Sequence, residues 1–419
     1  MASSTAACSP ATSICGNGAS PMPSLSAWPS RPCCTTRPKS AMRRSGRRWK
    51  PSCSTAMKTS ASEPMHTMLH STPHAILIRT PSGTAGYQAM ADERLLDAGL
   101  RAGHCLPYEC ATGTCGQCRA TVLHGQHRDL WPEAPAAAKL RRERGEVLMC
   151  QTAACGPLEV ALPKGAEQML EPHCWPARQQ ARVSGLRLLN ADIIELRLEL
   201  SAPLDFLPGQ FVLLGAPGVT GYRAYSMVNH DMPATALTLL IKRKPDGGFS
   251  TWLFQTAREG MRVDLFGPLG KATFEADTMQ DIVCIAGGSG IAGMMSIVGA
   301  IHGQPLRGTR RTDMFFGVRA AHDLFYASEL NALAERSNGL LQVTVALSEA
   351  QPAPALIERH PALRFAHGFV HEVAMHGLRP ALEAPTAFLA GPPVAVDAGI
   401  RMLMKQKFPL QRIRFDRFG

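Results

Sequence analysis

Leu106-Pro-Tyr-Glu-Cys110-Ala-Thr-Gly-Thr-Cys115-Gly-Gln-Cys118 places three cysteines at x4 and x2 spacing, and Val147-Leu-Met-Cys150-Gln supplies a fourth. Thiolates suit iron, and four of them hold two irons bridged by two sulfides. Gly113 and Gly116 let the loop backbone come close and donate N–H groups to the sulfurs, which lowers the need for a cationic side chain nearby. Structural zinc uses paired short cysteine spacings instead of a lone distant fourth ligand, and unliganded buried thiols need no spacing at all. Cys105 also stands an x4 gap before Cys110, but only the 110, 115 and 118 set continues with x2. The loop therefore reads as a [2Fe–2S] site.

Outward from the loop, the pattern predicts a strand over 74 to 80, a helix over 93 to 102, a strand over 119 to 124 and a closing strand near 157 to 162. Over 72–165 this resembles the plant-type [2Fe–2S] ferredoxin and implies its β-grasp fold. The resemblance assigns Cys110, Cys115, Cys118 and Cys150 as the metal ligands. Cys150 follows the apolar strand Val147-Leu148-Met149 as that family's pattern expects, so Cys155 is the poorer fourth ligand. Cys105 and Cys155 are read as plain thiols.

After a Pro-containing linker around 165 to 178 the text changes. Ile194, Leu196, Leu198 and Leu200 alternate with Glu195, Arg197 and Glu199, the mark of a strand with one buried face. Further strands fit 211 to 215, 236 to 242 and 261 to 266, and antiparallel strands at this spacing suggest a small barrel. Within it stand Pro208-Gly-Gln, Arg223-Ala-Tyr225-Ser226 and Gly247-Gly248-Phe-Ser250. Together these resemble the flavin domain of the ferredoxin–NADP reductase superfamily. The resemblance gives Arg223 to a flavin phosphate and Tyr225 to the isoalloxazine face, and puts the Ser226 hydroxyl near flavin N5 as a catalytic group. Gly248 and Ser250 add phosphate contacts. A guanidinium fork, a phenol ring and a hydroxyl suit those tasks. FAD is chosen over FMN on the family's domain order, since residue chemistry does not separate them.

From 281 the pattern becomes βαβ: a strand Asp281-Ile-Val-Cys-Ile-Ala286, a loop with Gly287, Gly288 and Gly290, and a helix over 291 to 302. Small residues there let a pyrophosphate approach the helix N-terminus. Strands near 312 to 318, 341 to 347 and 386 to 390 alternate with helices. Gly287, Gly288 and Gly290 match the superfamily's nucleotide loop, and Gly391 with Pro392 match its second nucleotide site. Two departures stand out: Gly293 where many members have Pro, and Ala390 where Cys is usual. Arg319, followed by the acid Asp323, is the lone cation for a 2′-phosphate, which favours NADH. The terminus Phe415-Asp416-Arg417-Phe418-Gly419 resembles that of oxygenase reductases, with Phe418 over the flavin and Asp416 near N5; a plain edge strand is the alternative.

The chain of 419 residues carries a formal charge of +11, but the excess is local. Of 44 Lys and Arg, nine lie in residues 1 to 62, before the first acid at Glu63, leaving 35 bases against 33 acids. The body implies no nucleic-acid partner. No window holds the roughly 18 apolar residues of a spanning helix, so a cytoplasmic protein without a membrane partner is expected. The 1–68 stretch has no helical or strand period. It reads as an extension translated from too early a start codon, a disordered tail, or a targeting peptide.

The expected whole is a multidomain α+β and α/β chain: a β-grasp ferredoxin domain (72–165), an antiparallel flavin-binding β-barrel (179–276) and a parallel-sheet NADH-binding domain (279–419). That order resembles the reductase components of multicomponent oxygenases, and it implies a reductase passing electrons from NADH through FAD and [2Fe–2S] to an oxygenase or an intermediate ferredoxin. The same order occurs in a deoxysugar reductase. A non-catalytic redox carrier or sensor is the alternative of another class, supported by Gly293 and Ala390.

Overall fold

The computed structural model describes residues 72–163, 167–168, 175–275, 280–303, 310–380 and 382–417. The 1–68 stretch and Phe418 lie outside these residues. Three large sheets follow one another along the chain, each built by a different apolar pattern, and two two-stranded ribbons accompany them.

In the first, strands run in the order Gly83–Ala89, His74–Thr80, Leu158–Ala161, Arg119–His124, Glu146–Leu148. His74–Thr80 pairs parallel with Leu158–Ala161, and the remaining pairs are antiparallel. The helix Leu95–Arg101 is shorter than predicted and buries six consecutive residues, Leu95 to Leu100. Burying Leu95, Leu96 and Leu100 contributes roughly 2 kcal/mol each. The apolar run ahead of Cys150 stops being a strand at Leu148, and Met149–Gln151 form a 3-10 turn that carries Cys150 into the core.

The second sheet is antiparallel throughout, in the order Arg223–Ser226, Phe211–Gly215, Arg262–Leu269, Ala177–Asn190, Ile193–Leu204, Ala234–Lys242. Its two edges meet: Met227 bridges Leu239, and the Val228 N–H donates to the Thr238 carbonyl at 2.9 Å, so the sheet closes into a barrel. The long strand Ala177–Asn190 begins inside the expected linker. Its Arg- and Gln-rich face is exposed while Ala181 and Val183 point inward, so its apolar signal is thin.

The third sheet is wholly parallel, ordered Leu363–His367, Leu341–Leu347, Thr312–Val318, Ile282–Gly287, Thr386–Gly391, Ile413–Arg417. Helices cover both faces, which is why Ile282 to Ala286 is continuously apolar and buried. The strand order reverses about Ile282–Gly287, so a crevice opens at the C-terminal ends of this strand and Thr386–Gly391. Among the described residues no helix is long and apolar enough to cross a membrane.

Candidate functional site

The cluster loop is a tight wrap, with Ala111, Gly113 and Gly116 at φ of 53°, 85° and 78°. Gly113 has no room for more: a Cβ there would stand 3.0 Å from both Ala134 and Gln151 side-chain atoms. The wrap turns backbone N–H groups onto sulfur. Thr112 and Cys115 donate to Cys110 Sγ at 3.4 Å, and Gln117 donates to Cys115 Sγ at 3.5 Å.

The four thiols stand as two pairs, Cys110 with Cys115 and Cys118 with Cys150, the latter 3.2 Å apart. Within each pair the two thiols share a hydrogen bond. That sharing drives Cys110 down to about 5 and Cys118 down as well, and holds Cys115 and Cys150 up. Among the described residues no three metal-binding side chains converge as a single ion needs. A two-iron cluster needs two thiolates per iron, and the pairs fit that demand. Cys110, Cys118 and Cys150 are buried and Cys115 is exposed, so one edge of the loop faces solvent. Cys105 is half-buried, Cys155 is exposed, and neither joins a pair.

Arg223–Ser226 forms the edge strand that faces this module. The Arg223 guanidinium lies 4.9 Å over the Trp131 ring and donates to the Tyr222 carbonyl at 2.9 Å. Tyr225 packs on Phe249 with centroids 5.3 Å apart, and burial pushes its phenol up. Ser226 is buried against the first turn of helix Ile291–His302: a Cβ on Gly293 would lie 3.7 Å from Ser226 Oγ. Gly248 opens the helix Gly248–Gln255, which has no side-chain cap. The Ser250 hydroxyl accepts from Lys244 N at 3.1 Å and bonds the Lys244 and Gly247 carbonyls, so it pins its own loop.

At the crevice, the nucleotide-loop glycines and Gly391-Pro392 come together. A Cβ on Gly290 would stand 2.4 Å from the Ala390 carbonyl oxygen, which excludes any larger residue, and Gly391 takes φ of 148° beside Gly287. A cleft of about 360 Å³ runs from Gly287, Gly288 and Pro392 to Lys242 and Asp192 of the barrel and Arg319. Arg319 is not a free cation: both Nε and Nη2 lie 3.3 Å from the Asp323 carboxylate.

Asp416, on the last strand, is buried, and burial, reinforced by the charge of Glu109, pushes its carboxyl up to about 7. Next to it, Arg417 reaches Glu109 at 3.2 Å and Asp397 at 2.9 Å, while the Tyr108 hydroxyl accepts from Gly270 N at 3.1 Å. The terminal strand therefore meets the ferredoxin segment at the residues just before Cys110.

Sequence reasoning missed Arg94, Trp131 and Tyr222, which join the first two modules. Arg94 is 3% exposed and donates to the carbonyl of Ala111, next to Cys110. The i,i+3 placement of Arg94 and Asp97 was the available signal.

The chain matches three families in succession: 2Fe-2S iron-sulfur cluster binding domains over residues 80–155, oxidoreductase FAD-binding domains over 180–274, and oxidoreductase NAD-binding domains over 284–397. It is 38% identical over 334 residues to the ferredoxin–NAD(+) reductase component of an alkene monooxygenase system from Xanthobacter autotrophicus, covering 79% of this chain and 97% of that protein. It is 34% identical to a ferredoxin–NAD(P)(+) reductase of Metapseudomonas resinovorans, covering 80% of this chain and 96% of the relative. The solved ferredoxin reductase of carbazole 1,9a-dioxygenase superposes with a TM-score of 0.71 at 31% identity, over 84% of this chain and all of that one.

Proposed function

Since this chain belongs to the family of ferredoxin–NAD(P) reductase components of oxygenase systems, we propose that it carries electrons from NADH to an oxygenase, directly or through a small ferredoxin, in the cytoplasm. When bound, FAD accepts the electron pair of NADH as hydride and the [2Fe–2S] cluster hands electrons on singly. The working units on this reading are 72–165, 179–276 and 279–419.

The residues divide the work. Gly287, Gly288, Gly290, Gly391 and Pro392 receive the nucleotide at the switch point of the sheet, and the close approach of Gly290 to Ala390 and of Gly391 to Gly287 admits only glycine at those two positions. Arg223 holds flavin phosphate, with Gly248 and Ser250 alongside. Tyr225 packs on the ring, and Ser226 orients N5 opposite the nucleotide loop. Asp416 holds a proton near neutral pH in a buried position, as a group serving N5 requires. Cys110, Cys115, Cys118 and Cys150 hold the cluster, and the exposed edge at Cys115 is the electron outlet.

One observation carries the reading. The flavin strand Arg223–Ser226 is flanked by the cluster module at Trp131 and by the nucleotide helix at Gly293, so donor, transformer and outlet adjoin one another in order. The test is an anaerobic titration of the purified protein with NADH, then NADPH, followed by visible spectra and cytochrome c reduction. NADH should bleach the flavin and then the cluster absorbance. Bound flavin that neither nucleotide bleaches would overturn the assignment and favour a non-catalytic carrier.

A further inference from the structure

Arg94 is among the most buried charged groups of the described chain, 3% exposed, and it touches both modules at once. Its Nε lies 2.8 Å from the Asp97 carboxylate, its Nη1 donates to the Ala111 carbonyl at 3.4 Å, and its guanidinium sits 4.2 Å over the ring of Tyr222. Ala111 follows the cluster ligand Cys110. Tyr222 precedes Arg223, the flavin-phosphate residue. Arg178, from the barrel strand Ala177–Asn190, comes within 3.6 Å of the same Asp97 carboxylate and 5.6 Å of the same ring.

Two guanidiniums thus share one carboxylate at the seam, where Glu93 and Asp264 are the other acids that act on Asp97 and Tyr222. Burial pushes the Asp97 carboxyl up on balance, and Arg94 first and Arg178 second oppose that push. A buried charge in a medium of low polarity acts over longer distances than a solvated one. Reduction of the cluster adds one negative charge and no proton, so a fixed cation beside the loop favours the reduced form. An ion pair this deeply buried adds little net stability, since its desolvation cost rivals its attraction.

Resting on the proposed reductase reading, we propose that Arg94 is a positioning and potential-setting residue: it locks the cluster loop onto the flavin-binding strand, and its charge makes transfer of one electron from flavin to cluster favourable. Arg94 touches no reacting atom; it acts through Ala111 and Tyr222.

The test is an EPR-monitored redox titration of the holoprotein, with rapid-mixing measurement of cluster reduction relative to flavin reduction. Arg94→Gln should lower the reduced-to-oxidised ratio of the cluster at least tenfold at a given potential, about 59 mV for one electron, and slow cluster reduction relative to flavin reduction. Arg94→Lys, which keeps the charge and loses the fork, should hold the potential near that of the parent while still slowing the transfer. An unchanged potential in Arg94→Gln, or an equal shift in Arg94→Lys, overturns the inference. Should Arg94→Gln fail to assemble the cluster, Asp97→Asn decides: it removes the counter-charge and should raise the potential, and no rise sinks the idea. Absence of a cluster signal in the parent protein would instead strike at the reductase reading itself.

Discussion

Arg417 Nη1 lies 3.2 Å from Glu109 Oε1, so the last strand of the nucleotide domain is tied to the residue immediately before Cys110, a proposed cluster ligand. Both side chains are partly buried, at 30% and 17% exposure, and the pair is worth about 1 kcal/mol. Arg417→Met should therefore raise local opening of the 108–118 segment roughly fivefold. Hydrogen exchange of its amides reads this directly, and unchanged protection would show that the pair does not hold the loop.

The proposed ligand set separates the cysteines into ligands and bystanders. Serine at 110, 115, 118 or 150 should abolish the cluster, whereas serine at 105 or 155 should leave iron content and visible absorbance at parent levels. Iron analysis on the purified variants decides it, and loss of iron in Cys155→Ser would force a different ligand set.

Arg319 is engaged by Asp323 on the cleft wall, so a 2′-phosphate finds a neutralised cation and an adjacent acid. Asp323→Ser frees the guanidinium and removes the repulsion. NADPH should gain about tenfold in kcat/KM relative to NADH, near 1.4 kcal/mol. Equal kcat/KM ratios in parent and variant would place nucleotide choice elsewhere.

Asp416 carries a stability cost that depends on pH. Its folded value of about 7 lies above an unfolded value near 4, so between these limits the native state binds more protons than the unfolded chain. Stability then falls as pH rises through that window and levels off above it, by at most about 4 kcal/mol. The groups behind the shift are the burial itself and Glu109, with the Tyr108 hydroxyl close by. Asp416→Asn should flatten the decline between pH 5 and pH 7.5, as urea midpoints would report; parallel curves for the two proteins would remove Asp416 as its source.

Local pattern was sufficient wherever one segment makes one element or one loop. The x4, x2 cysteine spacing, the alternation of Ile194 to Leu200 and the continuous apolar run Ile282 to Ala286 each carry their geometry within a few residues. The strand Ala177–Asn190 escaped because its exposed Arg and Gln side chains leave only Ala181 and Val183 to mark the inner face. The turn at Met149 escaped for another reason. Its apolar residues suit a strand, and the bend there follows from carrying Cys150 to Cys118.

The sequence by itself determined the three modules, their order and the chemistry each is built to hold, because cluster, flavin and nucleotide sites rest on short segments whose glycines, thiols and aromatics are constrained locally. Tertiary structure alone decided how the modules are joined: Arg94 with Tyr222, Trp131 with Arg223, Glu109 with Arg417, and Gly293 with Ser226. Those pairs bring together residues far apart along the chain, and each partner alone looks like an ordinary surface or core residue. A cation's effect on a neighbouring site depends on its burial and its distance, and both are properties of the folded chain.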